Sequence, residues 1–543
     1  MNYWKPLFMM YDYLRNRFNP YLFYINAIRK QNNKTCKTRI NVLITIIGGA
    51  YGHLFEGLFA RKAALNGYSP YILRCNSFLD YCDVNPEVLS HRILRCLLCQ
   101  ARQDDFMKAF HGVDCKYEDY IDRLDIEALE QCVDDYFTKG LREYENVNIK
   151  KILYSALQRF YLIAEPKVVD DKVTRGFLFT IFATLTVMDK ICNQIHPQYV
   201  LSSHGTYSTW GSVVEYCKSH GIYVITHGQN YNHGGIEFTY DDSYLTGDLN
   251  DTENKWNELI LSEAVRKRVR HFLDERLGRV SDDKVAFDYN KGNKKHYTRK
   301  QICEILHIDS DKKIVGMFPN IPWDGAVTGG GAVVFPNYKD WFEFTIKFFA
   351  KRDDSVLVIR SHPAEVNIGT DAGRESTATL INEIFGKTPS NIRILGPKHE
   401  INSYTLGENC DFGITFSSTV SLELTYLGIP IILCGCPPFK GKDVAFDVTS
   451  KEQYIELIEK GINGELSVTQ ERIDRLFRYL HYFFFMRTMP QTLVEVKDTV
   501  PQRFLFTSEE ELDKDPVFDY MFRKISAKEE LDFSGFWDAY LEG

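Results

Sequence analysis

The side chains best suited to chemistry lie in two stretches, "SVLVIRSHPAEV", Ser355 to Val366, and "FGITFSSTVSLELTYLGIPIILCG", Phe412 to Gly435. In the first, the apolar run Val356 to Ile359 predicts a buried parallel strand, with Arg360, His362 and Pro363 just past its carboxyl end. Open α/β sheets bind ligands at that end. Pro363 fixes its own φ and keeps His362 out of the helical region, so the imidazole is expected on a stiff, extended loop, able to hydrogen-bond a phosphate without a metal. In the second, Phe412 to Phe416 predicts another strand, Ser417, Ser418 and Thr419 a hydroxyl-rich turn, and Val420 to Leu427 a helix closed by Gly428 and Pro430. Backbone N–H groups and hydroxyls at such a helix start favour an anion. Glu423 is wrongly spaced to close a capping box with Thr419 and is read as free to accept hydrogen bonds from ribose hydroxyls. Taken singly, His-Pro is a common loop dipeptide and a serine or threonine at a helix start is most often a cap. Their order and shared strand-end placement join them into a phosphate-grasping constellation.

Other strand ends carry polar groups too. "INVLITIIGGAYGHLFEG" predicts a strand, a glycine turn with Gly48, Gly49 and Gly52, and a helix that His53 begins. The spacing is not GxGxxG, so no dinucleotide site follows, and a plain strand-to-helix turn stays open. In "PQYVLSSHGTYSTWGSVVEYCKSHGIYVITHGQNY", strands at Tyr199 to Leu201 and Ile222 to Thr226 lead to His204 and His227. A histidine there can titrate near neutral pH, as a general base must, so His204 is a candidate base or acceptor ligand. Tyr207, with Trp210, could form a sugar platform, although core packing explains either residue alone. "KKIVGMFPNIPWDGAV" ends a strand, Ile314 to Phe318, at Asn320 and Asp324, the latter a second candidate base. The glycines Gly329 to Gly331 give that loop room to move.

"FPNIPWDGA", "VIRSHPAEV", "TFSSTVSLELTYLGIPII", "FKGKDVAFDVTS" and "SSHGTYSTWG" together resemble the bacterial capsule polysaccharide biosynthesis proteins over roughly Asn41 to Arg487. The resemblance implies a GT-B-like α/β fold, with two Rossmann-like domains facing a cleft, and a metal-independent glycosyltransferase of surface polysaccharide synthesis. The His-Pro and Ser-Ser/Thr pair is similar to one shared by sialyltransferases, Kdo transferases and polyglycerol-phosphate polymerases, which implies a CMP-sugar donor. On this view Arg360 and His362 stabilise the departing phosphate, Ser417, Ser418 and Thr419 hold its oxygens, Glu423 grips the ribose, and His204 or Asp324 deprotonates a glycan or lipid-linked acceptor. A CDP-alditol phosphotransferase would use the same grip. A non-catalytic assembly subunit would bind no nucleotide.

Composition bounds these readings. A chain of 543 residues with 44% hydrophobic and 25% charged residues calls for two ordinary globular domains. Its net charge of −8 argues against a nucleic-acid partner. Thirteen scattered cysteines read as reduced thiols, and Cys96 and Cys99, the CxxC pair, lack a second pair at zinc spacing. No metal and no cofactor is assigned. The opening shows no clean signal sequence, and Phe177 to Met188 is shorter than the ~20 residues a bilayer requires, so a cytoplasmic protein is expected. Aromatic and basic residues in the opening segment suit the cytoplasmic face of the inner membrane, near capsule assembly proteins, as well as an extra packed helix.

The organisation expected is an aromatic and basic segment at 1–38 and a Rossmann-like acceptor domain at 39–250, with a helical insertion over roughly 86–186. A helical connection at 251–300 leads to a nucleotide-sugar domain at 301–470, and closing helices at 471–543 return to the first domain.

Overall fold

The computed structural model describes residues 40–47, 53–83, 92–243, 255–280, 295–321, 323, 334–366, 376–497 and 500–542. The chain forms two compact units, one of Met1–Phe160, Lys167–Gly247 and Phe485–Gly543, the other of Tyr161–Pro166 and Asp248–Phe484. Each is α/β with a parallel sheet.

In the first unit the strands are β1 (Ile40–Thr45), β2 (Tyr68–Arg74), β3 (Val113–Lys116), a short hairpin of β4 (Glu143–Tyr144) and β5 (Val147–Asn148), β6 (Val200–Ser203), β7 (Val224–Gln229) and β8 (Ile236–Tyr240). The sheet runs β3-β2-β1-β6-β7-β8, with Thr488–Met489 added beyond β8. It is parallel from β3 to β7 and antiparallel thereafter. Val42, Leu43 and Ile44 are fully buried, as a strand covered on both faces requires. The helix Leu54–Leu65 packs so closely that a Cβ on Gly57 would lie 2.2 Å from the Phe110 ring. Its Lys62 reaches Asp513 and Asp519, each at 2.9 Å, which ties the C-terminal helices to this unit.

The stretch expected to be a helical insertion holds helices Arg92–Phe110, Arg123–Thr138, Ile149–Tyr161 and Lys172–Ile195, and it also supplies β3, which pairs with β2. Only Cys115 of that strand is buried, so no apolar pattern announces it. Among the described residues, Lys172–Ile195 is the one helix long and apolar enough to cross a membrane, and 67% of its most apolar window is buried inside the protein.

The second unit is built on β9 (Lys313–Phe318), β10 (Ser355–Arg360), β11 (Ile392–Leu395), β12 (Phe412–Thr415), β13 (Ile431–Leu433) and β14 (Phe446–Asp447). All are parallel, in the order β11-β10-β9-β12-β13-β14. This is the doubly wound order 3-2-1-4-5-6, whose direction reverses between β9 and β12. Val315, Met317, Leu357, Ile359 and Ile414 pack with Trp341 and Phe342 in its core. The helices Glu263–Arg276 and Gln470–His481 belong here, joined by Arg266 and Asp474 at 2.9 Å, so the chain re-enters the first unit at Phe485.

Candidate functional site

The reversal point of the second unit gathers most of the residues singled out there. Asn320, just past β9, accepts a hydrogen bond from the Ser417 backbone N–H, just past β12, at 3.0 Å. Its own carbonyl accepts one from the Tyr338 hydroxyl at 3.0 Å, which fixes the Asn320 loop to the following helix. Two strand ends are thereby stapled where a doubly wound sheet binds ligands. Ser417 is buried and its hydroxyl has no protein partner. Ser418 and Thr419 are partly exposed, and Thr419 precedes the helix Val420–Tyr426 without capping it through its side chain. The Ser418 hydroxyl accepts from the Val420 N–H, the first of that helix, at 3.4 Å, so the Thr419 hydroxyl alone is left out of the helix start.

One strand over, His362 is partly buried. Burial, reinforced by the Arg360 charge, pulls the imidazole down to about 4, so it stands neutral at pH 7 and offers an N–H rather than a positive charge. Pro363 opens a short 3-10 turn, Pro363–Val366, in place of the extended loop expected, and Glu365 N–H donates to the His362 carbonyl at 3.0 Å. Glu365 is held by the Thr377 hydroxyl at 2.6 Å, and burial pushes its carboxyl up.

Two expectations require correction. Arg360 is the last residue of β10, not a loop residue, and donates to the carbonyls of Ser361 and Gly396 at 2.8 Å and of Pro397 at 3.3 Å. Only its Nε is buried without a partner, so the guanidinium chiefly braces the loops beyond β10 and β11. Glu423 is 2% exposed and ion-paired with Arg276, so it is not free for a ribose; its Oε2 alone lacks a partner. The sequence hid this because Arg276 comes from the segment expected to be a connection.

In the first unit, His204 follows β6 in a left-handed conformation, φ 46°, beside Gly205 at φ 74°. A Cβ on Gly205 would lie 2.8 Å from the Ser243 Cα. Tyr207 is left-handed too, at φ 68°. Such backbone persists only where its surroundings hold it. Asp83 does so: its carboxylate accepts from the backbone N–H and hydroxyl of both Ser208 and Thr209, at 2.7–2.9 Å. No spacing in the sequence marks Asp83.

The His204 ring lies 5.0 Å from Trp210, and burial, with the His227 and Arg159 charges, lowers it to about 4. The expected near-neutral titration is therefore not met. Tyr207 and Trp210 are each 8% exposed and pack into the core rather than forming an open platform. His227 sits inside β7, not in the loop after it, because that strand extends to Gln229. His53 precedes the helix Leu54–Leu65, and its Nδ1 lies 3.0 Å from Glu56 Oε1. His227 Nε2 approaches the same oxygen at 3.2 Å. Glu56, unmarked by any motif, thus lies beside both histidines, hydrogen-bonded to His53.

Gly48, Gly49, Gly52, Asp324, the glycines 329–331 and the segment 1–38 lie outside the described residues. Among the described residues one group could hold a metal ion, Glu145, Asp189 and His220, whose ligand atoms lie within 4.8 Å of one another. His220 precedes β7 and Asp189 precedes β6, which puts the group by the amino ends of the strands, away from the strand-end residues of that unit.

No protein-family model matches the chain, and no curated protein does. Similar solved structures include the β-Kdo 2,4-transferase of KpsC from Thermosulfurimonas dismutans, at 14% identity and a TM-score of 0.34, covering 58% of this chain and 87% of that one. The S. aureus MnaA–UDP co-structure is 9% identical with a TM-score of 0.27, covering 90% and 96%. CalG4, the calicheamicin glycosyltransferase, is 12% identical with a TM-score of 0.25, covering 82% and 96%. At such scores the likeness says nothing of substrate, and the doubly wound α/β assignment rests on the two sheets themselves.

Proposed function

We propose that the protein is a metal-independent glycosyltransferase of surface polysaccharide synthesis that takes a CMP-sugar as donor. The observation that carries this is the staple between Asn320 and Ser417 at the reversal point of the second sheet, with an unpartnered buried hydroxyl at its centre. Backbone N–H groups of Ser418 and Thr419 and the hydroxyls of Ser417, Ser418 and Thr419 would receive the donor phosphates. His362, neutral at rest, would donate its N–H to the phosphate oxygen on which charge develops as the glycosidic bond breaks. A glycan or lipid-linked acceptor would be handled by the first unit. The cytidine base comes from the motif resemblance and not from the geometry.

A turnover screen with CMP-sugars, UDP-sugars, GDP-sugars, CDP-glycerol and CDP-ribitol tests the reading. Glycosyl transfer from a CMP-sugar that persists in EDTA supports it. Products from CDP-alditols alone would replace it with a phosphotransferase, and loss in EDTA restored by magnesium would overturn the metal-free mechanism.

A further inference from the structure

Three elements of the first unit converge on one small cluster. Glu145 lies at the tip of the β4–β5 hairpin, Asp189 near the end of the helix Lys172–Ile195, and His220 directly after the helix Trp210–Ser219. One ligand atom from each lies within 4.8 Å of the others. A tetrahedral ion with bonds of ~2.0–2.2 Å sets its ligand atoms roughly 3.4 Å apart, so modest side-chain rotations close the three on one ion.

Two of the donors are oriented by groups outside the cluster. The Tyr216 hydroxyl and Asn193 Nδ2 both donate to Asp189 Oδ1 at 3.0 Å. The Tyr216 ring also stacks on the His220 imidazole, with centroids 4.0 Å apart. His220 Nδ1 lies 2.9 Å from the Tyr216 carbonyl, which can only accept. The Ser219 hydroxyl, 2.9 Å from the same nitrogen, gives its proton to that carbonyl at 2.9 Å. The imidazole proton therefore sits on Nδ1, and the Nε2 lone pair is left for a ligand. A carbonyl behind the imidazole and a hydroxyl on the carboxylate are the outer contacts by which metal ligands are held.

The charge balance calls for a cation. Burial pushes the Glu145 carboxyl up and the Asp189 charge adds to it, against His220. Among the described residues neither carboxylate is paired with a lysine or arginine, and none donates a hydrogen bond to Glu145. Carboxylates held this close repel, and a divalent ion removes the repulsion. The place suits such an ion as well. Strands of two residues each do not hold a hairpin by themselves, and this one reaches the helix Lys172–Ile195 through Tyr144 and Thr186, whose hydroxyls lie 2.9 Å apart.

We propose that Glu145, Asp189 and His220 bind one divalent cation of the manganese or zinc kind, with water in its remaining positions, and that the ion clasps the hairpin to the two helices. The inference is independent of the glycosyl-transfer reading: the ion steadies the first unit and takes no part in transfer.

The test uses the full-length chain stripped of metal. Mn²⁺ is the first probe, because carboxylates suit it and cysteine thiolates do not. Loss of the free-ion EPR signal should count one bound ion per chain, and pulsed EPR with isotope-labelled histidine should show a nitrogen ligand. The melting temperature should rise by about 2–4 °C. Glu145→Gln, Asp189→Asn and His220→Ala should each weaken binding at least ~10-fold. In EDTA, Glu145→Gln should melt at or above wild type, because it relieves the repulsion with Asp189; with Mn²⁺ it should melt below. The same melting comparison with Zn²⁺ covers the second ion. Absence of stoichiometric binding of either ion, or binding that all three variants leave unchanged, would overturn the proposal. So would a Glu145→Gln chain that melts below wild type by the same margin with and without the ion.

Discussion

The two units share the order of their central parallel strands and furnish the reversal point with different side chains. In the first, a buried carboxylate stands in the opening turn of the helix after β1, flanked by imidazoles. In the second, three hydroxyl-bearing residues precede the helix after β12, and the carboxylate in its first turn, Glu423, is ion-paired with Arg276. On the proposed reading a phosphate would be received by the second arrangement. Matching folds therefore do not imply matching ligands; the residues at the helix start decide what each unit can hold.

The largest change expected from disturbing this contrast comes at Glu423. Glu423→Ala removes the carboxylate paired with the Arg276 guanidinium, itself 10% exposed, and should cost about 3–5 kcal/mol. Thermal or urea unfolding measures this, and a change below about 1 kcal/mol would show that the pair does not hold the second unit together. Next comes His362→Ala. Loss of one donor to the developing charge should lower turnover ~10²–10³-fold at saturating donor with the fold intact. Unchanged turnover would make His362 a loop residue only.

Acid should distinguish the units more gently. His204 and His362 both stand near 4 in the folded protein, against an ordinary 6.5, so the unfolded chain takes up their protons first. Stability should fall as pH drops from about 6.5 to 4, on the order of 1–2 kcal/mol per histidine once solvent screening is allowed for. Glu56 is lowered, so its contribution is present above about 4.5 and is lost as pH falls toward 2, in the first unit alone. Denaturant midpoints measured from pH 7 to 3 should show the upper stage weakened in His362→Ala and the lower stage missing in Glu56→Gln. The smallest effect is at Ser417. Ser417→Ala should leave unfolding within about 0.5 kcal/mol of wild type, since the hydroxyl has no partner to lose, yet weaken nucleotide binding roughly 5–10-fold. Equal affinities would remove that hydroxyl from the site.

Much of this contrast was legible in the sequence wherever one short segment contains its own cause. Val356 to Ile359 and Phe412 to Phe416 are short, largely apolar runs that read as buried strands, and the polar residues after them are read at strand ends. Asn320 and Ser417 could be named separately, but their bond spans 97 positions and awaited the pairing of β9 with β12. Asp83 and Arg276 escaped because their partners are distant in the chain, and Glu56, three residues from His53, because nothing in a local pattern separates a buried charge from a solvated one. Burial also reset the chemistry of residues correctly singled out: His204 is a histidine at a strand end, but the groups that lower it to about 4 come from other elements.

The most direct test of the central claim is a crystal structure of the full chain with bound CMP, read for which unit holds the phosphate. The account predicts phosphate oxygens within hydrogen-bonding distance, ~2.7–3.2 Å, of the Ser418 or Thr419 backbone N–H and near His362. A phosphate seated instead in the first unit, beside Glu56, would contradict it.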